Sequence, residues 1–168
     1  MSTTHPTTPP NKDISSQQTT VTANNESAEE TVVIHCDGSF QRKQNLAGIG
    51  YVIETNGGTV LENHHSKSVN ATTSTQTEAH ACLTAIRAAK KYNPSHLILY
   101  SDCNPVVRKI KSDNPHTQRK VYHIIRQEMK YIKHVSIKPT PRGKNKKAHN
   151  LAHLSLRKLK DRANNRSK

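Results

Sequence analysis

The chain has 168 residues, enough for one ordinary domain and too few for two sizeable cores. It carries 26 Lys+Arg against 12 Asp+Glu, a formal net charge of +14, with 32% hydrophobic residues and a mean hydropathy of −0.84. No stretch approaches the ~20 apolar residues of a membrane span, and Cys36, Cys82 and Cys103 lack any C-x-x-C spacing, so neither a disulfide framework nor a zinc knuckle is suggested.

Residues 1–30 are dominated by Ser, Thr, Asn, Gln and Pro and show no helical or strand period, which predicts a disordered polar leader. It has no apolar signal core, and it contains Asp13, Glu26, Glu29 and Glu30 but no arginine, unlike a mitochondrial presequence. With an odd number of cysteines, this predicts an intracellular protein, cytoplasmic first, with nuclear or virus-associated as the alternatives. The charge is unevenly spread: from Val121 onward the only carboxylates are Glu128 and Asp161. A surface this basic predicts a polyanionic partner, nucleic acid before membrane.

The first β-rich run is Val32 to Cys36. Ala47 to Thr55 follows a polar turn, and Asn56–Gly58 is a hairpin signal before "TVLENHHSKS", so three antiparallel strands open the domain. Ser74 to Tyr92 places Ala79, Cys82, Leu83, Ile86 and Ala89 on one helical stripe. Leu97 to Asp102 reads as a buried strand, "NPVVRKIKS" as a short helix with proline in its first turn, and Thr117 to Ile132 as a second amphipathic helix. "HVSIKP" supplies a fifth strand, and after "TPRGKN" Asn145 is placed to cap a last helix to about Asp161. The expected fold is α/β: a five-stranded mixed sheet, three antiparallel strands then two parallel, flanked by helices. The domain would cover 31–161, with a basic disordered tail over 162–168.

Two of these strands run straight into a carboxylate, Asp37 before Gly38 and Asp102 after "LILYS", and Glu78 sits in the first turns of the first long helix. A buried carboxylate is costly without a cation or a ring of donors. Hydrolysis of a phosphodiester gives a reason to gather three of them, because two divalent ions about 4 Å apart activate the water and stabilise the leaving oxygen. Magnesium suits such a site, accepting one or two carboxylates and taking its other ligands from water and phosphate.

The motifs "CDGSF", "AGIGYVI", "TEAHACLTAI" and "LYSDCNPVV", in this order over residues 32–160, resemble type 1 ribonuclease H, which cuts the RNA strand of RNA–DNA hybrids. The resemblance implies a ribonuclease H-like fold and two Mg²⁺ or Mn²⁺ ions held by Asp37, Glu78 and Asp102. It further implies that backbone around Gly38 and Ser39, with Ser74 and Gln76, touches the minor groove and 2′-hydroxyls of a hybrid, as expected of readers of A-like duplexes. Departures are informative. In "NKKAHNLA" the family's fourth carboxylate is replaced by His149, and the His-rich flap by "PTPRGKN", so that Arg142 and Lys144 take its place; Arg142, through a phosphate near the cut, and Asn145 are expected to reach substrate. The short span between Asp102 and His149 implies a form without the basic protrusion.

Imidazole at position 149 removes a negative charge and offers nitrogen, which predicts a tilt toward Mn²⁺ and loss of activity on acidification. His149 and His153 share a helical face but have no evident third partner for zinc. The function expected is an endoribonuclease on RNA–DNA hybrids working by two metal ions, as a monomer and without a membrane partner. The alternative is a catalytically impaired module of the same fold that binds nucleic acid, suggested by His149 and the charge. An Asp-x-Glu first strand, usual in proofreading exonucleases, is absent: Asp37 is followed by Gly38 and Ser39.

Overall fold

The computed structural model describes residues 30–68, 71–112 and 120–166. The expected leader up to residue 29, and the link 113–119 where a protrusion would sit, therefore lie outside the described residues. The elements are β1 (Thr31–Gln41), β2 (Leu46–Thr55), β3 (Val60–Lys67), α1 (Ser74–Ala89), β4 (His96–Ser101), α2 (Asn104–Lys111), α3 (Lys120–Met129), β5 (His134–Pro139) and α4 (Lys146–Arg166). The strands form one sheet in the order β3-β2-β1-β4-β5, antiparallel among β1, β2 and β3 and parallel from β1 to β4 to β5. This is the ribonuclease H-like mixed sheet that the sequence predicts. Among the described residues, no helix is long and apolar enough to cross a membrane.

β1 is central and covered on both faces. Val32, Ile34 and Cys36 point into the core with Ile49, Tyr51 and Ile53 of β2 and with Ala79, Cys82 and Ile86 of α1. Cys36 and Cys82 are free thiols with sulfurs 3.3 Å apart, and Cys36 packs as a small buried apolar group. α1 starts at the Thr73 cap, whose hydroxyl accepts from the Gln76 N–H, and ends in a 3₁₀ turn closed by Asn93 at φ 47°.

The other face of the sheet belongs to α4. A Cβ at Gly50 would run into the backbone of Ala148 and Ala152, and one at Gly48 into Ala152 and Leu156. These two glycines let the helix backbone lie directly on β2, which draws the start of α4 over the middle of β1.

Three boundaries differ from expectation. β1 does not stop at Cys36 but carries Asp37 inside the strand, because pairing with β2 continues from Asp37↔Gly50 to Gln41↔Leu46. α4 continues past Asp161 to Arg166, since "RANNR" contains no proline or glycine to stop it. Of the second amphipathic helix, 117–119 lie outside the described residues and Lys130–Ile132 leave the helix as a turn.

Candidate active site

Parallel pairing fixes two of the acids. β1 and β4 are in register from Thr31↔His96 to His35↔Tyr100, so Asp37 and Asp102 emerge side by side at the same sheet end. Glu78 reaches them from α1, and its Oε2 accepts a 2.9 Å hydrogen bond from the Gly38 N–H. Ligand oxygens of Asp37, Glu78 and Asp102 all lie within 4.8 Å of one another, and among the described residues this is the only such group of three or more metal-ligating side chains.

Gly38 is what allows α1 so close. A Cβ there would sit 2.6 Å from the backbone of Thr77 and Glu78, atoms that cannot swing aside. Gly38→Ala should therefore push the first turns of α1 off β1 and break the bond to Glu78. We expect a loss of about 1–3 kcal/mol in denaturant unfolding and at least about a tenfold drop in hybrid cleavage. Parental values in both measurements would show that the close approach is not required.

The electrostatics are those of a site awaiting positive charge. Burial, followed by the charge of Asp102, raises the Asp37 pKa to about 6 even though His149 and Arg142 pull it down. Burial, then the charges of Asp37, Cys82 and Asp102, raises Glu78 to about 9. Nearby nitrogens compensate only in part: His149 Nδ1 is 3.1 Å from Asp37 Oδ2, and the Arg142 Nε, on a side chain 74% exposed, is 4.0 Å from Asp102 Oδ2. An all-oxygen donor set, buried and mutually repelling, fits a hard divalent cation such as Mg²⁺ or Mn²⁺. His149 adds one nitrogen at the rim, and its ring meets His153 edge-on at 4.2 Å. Burial, then the charges of His149, Arg142 and Lys160, holds the His153 pKa below the usual imidazole value.

A cleft of about 510 Å³ brings Asp37, Gly38, Ser39, Ser74, Glu78, Asp102, Arg142 and His149 together. Two of the residues expected at substrate lie elsewhere. Gln76 accepts from the N–H and hydroxyl of Thr72 and lines a separate groove of about 700 Å³ with Lys67, His80, Arg87 and Lys120.

Asn145 is 1% exposed and immediately precedes α4. Its side chain does not cap the helix, because among the described residues the Oδ1 accepts no hydrogen bond. The amide nitrogen instead donates to the Cys36 carbonyl at 2.9 Å and to Asp102 Oδ1 at 3.5 Å, tying the ends of β1 and β4 together. Cys103 packs partly against the core and also borders the cleft, and burial raises its pKa to about 11. The sequence reading missed Phe40, Asn104, Pro105 and His153 as cleft residues. Only His153 carried a signal, its four-residue spacing from His149.

Residues 35–155 match the family model described as reverse transcriptase-like. Among curated proteins no match is found. Solved structures similar to this chain include RNase H1 from the halophilic archaeon Halobacterium salinarum NRC-1, 23% identical over 76% of this chain and 98% of that one, with a TM-score of 0.70. The N-terminal RNase H domain of a Mycobacterium tuberculosis protein, fused to maltose-binding protein, is 22% identical over 80% and 99%, with a TM-score of 0.71. LC11-RNase H1, isolated from compost by a metagenomic approach and solved with an RNA/DNA hybrid, is 20% identical over 76% and 98%, with a TM-score of 0.67. At these identities the likeness shows the fold, and the acidic cluster sits in that fold as a site able to hold divalent cations. With the family model spanning most of its length, the chain belongs to the reverse transcriptase-like family.

Proposed function

We propose that the protein is a divalent-metal-dependent endoribonuclease that hydrolyses the RNA strand of RNA–DNA hybrids. The observation that carries this reading is the convergence of Asp37, Glu78 and Asp102 within 4.8 Å, in a chain of net charge +14. The hybrid bound to LC11-RNase H1, a structure of the same fold, supports the choice of substrate.

Two divalent cations held by Asp37, Glu78 and Asp102 would supply the positive charge that offsets the developing charge on the phosphate and acidifies the attacking water. The chain's own groups prepare the site for this. The Gly38 N–H aims the Glu78 carboxylate, and because it is committed there, it is not free for the hybrid. Asn145 is a positioning residue, holding Asp102 against β1 from a buried place. Arg142, largely exposed beside Asp102, is free to bind a phosphate oxygen next to the cut. Ser74 and Ser39 border the same cleft, within reach of a minor groove and its 2′-hydroxyls.

One contact favours a second reading, a binding module with an impaired site. His149 Nδ1 lies on Asp37 Oδ2, an oxygen a metal would need. A labelled hybrid, a DNA duplex and an RNA duplex, each tested with Mg²⁺, Mn²⁺ and chelator, separate the two. Metal-dependent cutting confined to the RNA of the hybrid is the expected result; tight binding without cutting in either metal would favour the module. In the same assay His149→Asp should lower the ratio of the Mn²⁺ rate to the Mg²⁺ rate by about tenfold, as oxygen replaces nitrogen. An unchanged ratio would remove the imidazole from the metal's surroundings.

A further inference from the structure

Some of the cations among the described residues are held by acids. Arg87 and Lys90 close on Glu128, Lys91 on Glu62 and Lys147 on Glu54. Among the others, one set forms a row. Along α4, starting at the cleft, His149, His153 and Arg157 recur every four residues, with Lys160 one turn further on the same side. Arg157 is exposed and Lys160 half-buried, and among the described residues neither forms an ion pair. Asp161, the only acid of α4, stands four residues from Arg157 without pairing with it among the described residues.

The surface here is also concave and continuous with the cleft. A hollow of about 560 Å³ runs along α4 past Asn150, Arg157 and Lys160, and His153 lines both this hollow and the cleft. Lys160 lies about 16 Å along the helix from His149, outside the cleft itself. The turn between β1 and β2 adds exposed Arg42 and Lys43 toward the same end. Gly50 of β2 lies against Ala148 and Ala152, and Gly48 against Ala152 and Leu156, so moving back along β2 to that turn means moving forward along α4.

We propose that this face of α4 is a second nucleic-acid contact, in which Arg157 and Lys160 bind backbone phosphates of a duplex that extends beyond the cut. Four residues of helix advance about 6 Å, comparable to the step between successive phosphates on a strand, so a cation every turn can follow a backbone. Phosphate contacts of this kind position the duplex without reading its sequence. The inference rests on the nucleic-acid reading of the cleft but not on catalysis, so its test uses binding in chelator.

A fluorescent hybrid is titrated with the full chain by anisotropy at several salt concentrations, once with a hybrid that ends inside the cleft and once with one that continues past it. Arg157→Ala combined with Lys160→Ala should weaken binding of the long hybrid by about tenfold and reduce the salt slope by about 2, with no change on the short one. Arg157→Lys should retain affinity. Lys111→Ala combined with Lys138→Ala, the same charge loss on the α2 and β5 side, should have less than about a twofold effect. Thermal melting reports folding of every variant; should the double variant melt early, Arg157→Ala alone decides, with a slope change of about 1.

An unchanged affinity, an equal loss on both hybrids, or an equal loss in the control overturns the proposal. So does a larger loss on phosphatidylserine vesicles than on the long hybrid, which would assign the stripe to a membrane surface. Absence of nuclease activity with the expected binding pattern would overturn the catalytic reading and leave this one standing.

Discussion

Asp37→Asn should abolish hybrid hydrolysis and at the same time make the metal-free protein more stable. Both halves follow from the same geometry. Asparagine keeps the shape of the side chain, which is 3% exposed in the middle of β1, and removes only its charge. That carboxyl is one of three within 4.8 Å, and burial together with the charge of Asp102 raises the Asp37 pKa to about 6 in spite of His149 and Arg142. Ionised Asp37 therefore opposes folding at neutral pH, and its removal should stabilise the metal-free chain by about 2 kcal/mol. The same substitution takes away an oxygen ligand for which no other group substitutes, and a metal's contribution of several kcal/mol to phosphoryl chemistry corresponds to a loss of about a thousandfold or more. Chemical denaturation in chelator and single-turnover cleavage in Mg²⁺ test the two halves separately. Asp102→Asn should likewise lose hybrid cleavage. A variant that cuts at the parental rate would remove Asp37 from the site, and one less stable than the parent would show that the three acids do not repel one another in the fold.

The parts of this site that were legible in sequence are those fixed by local pattern. An apolar run ending in a carboxylate marks Asp37 and Asp102, and a helical stripe of Ala79, Cys82, Leu83 and Ile86 fixes which way Glu78 faces. Parallel pairing of β1 and β4 then brings the strand acids together, a consequence of fold class rather than of any further residue signal. What stayed hidden depends on partners distant in sequence. Asp-Gly at 37–38 looks like a turn, and only the long pairing with β2 shows that the strand continues through it. Asn145 looks like a helix cap, but the carbonyl of Cys36 and the carboxylate of Asp102 compete for its amide and win. Gly48 and Gly50 read as strand glycines of no special purpose until α4 is seen lying on them. These glycines deliver His149 to Asp37, a contact between residues 112 positions apart. The departure from the family pattern at 149 was therefore visible, whereas its direct consequence for Asp37 was not.

The metal-free protein should lose stability as pH rises across the neutral range, and Mg²⁺ should reverse the loss. Glu78 has its pKa raised from 4.5 to about 9, first by burial and then by the charge of Asp37. Between those values the folded state holds a proton that the unfolded chain has released, so folding takes up a proton and rising pH favours unfolding. The contribution is complete below the ordinary carboxylate value and disappears as pH passes through about 9. Asp37 adds the same sign over the narrower interval from 3.8 to about 6. Below about pH 6.5 the half-buried His35, His65 and His80 and the exposed His153, whose pKa values are lowered chiefly by desolvation, act in the opposite sense. Above about pH 8.5 Cys36, raised by its hydrogen bond to Cys82 and then by burial, and Cys103, raised chiefly by burial, add to the slope of Glu78. The window from about pH 6.5 to 8.5 therefore isolates Glu78, and denaturant unfolding in chelator should fall by about 2 kcal/mol across it. Glu78→Gln should flatten that slope, and saturating Mg²⁺ should restore stability with release of protons to the buffer, because the cation binds the ionised form. If the slope is the same with glutamine at position 78, its carboxyl is not held protonated by the fold, and the site has no unmet demand for positive charge.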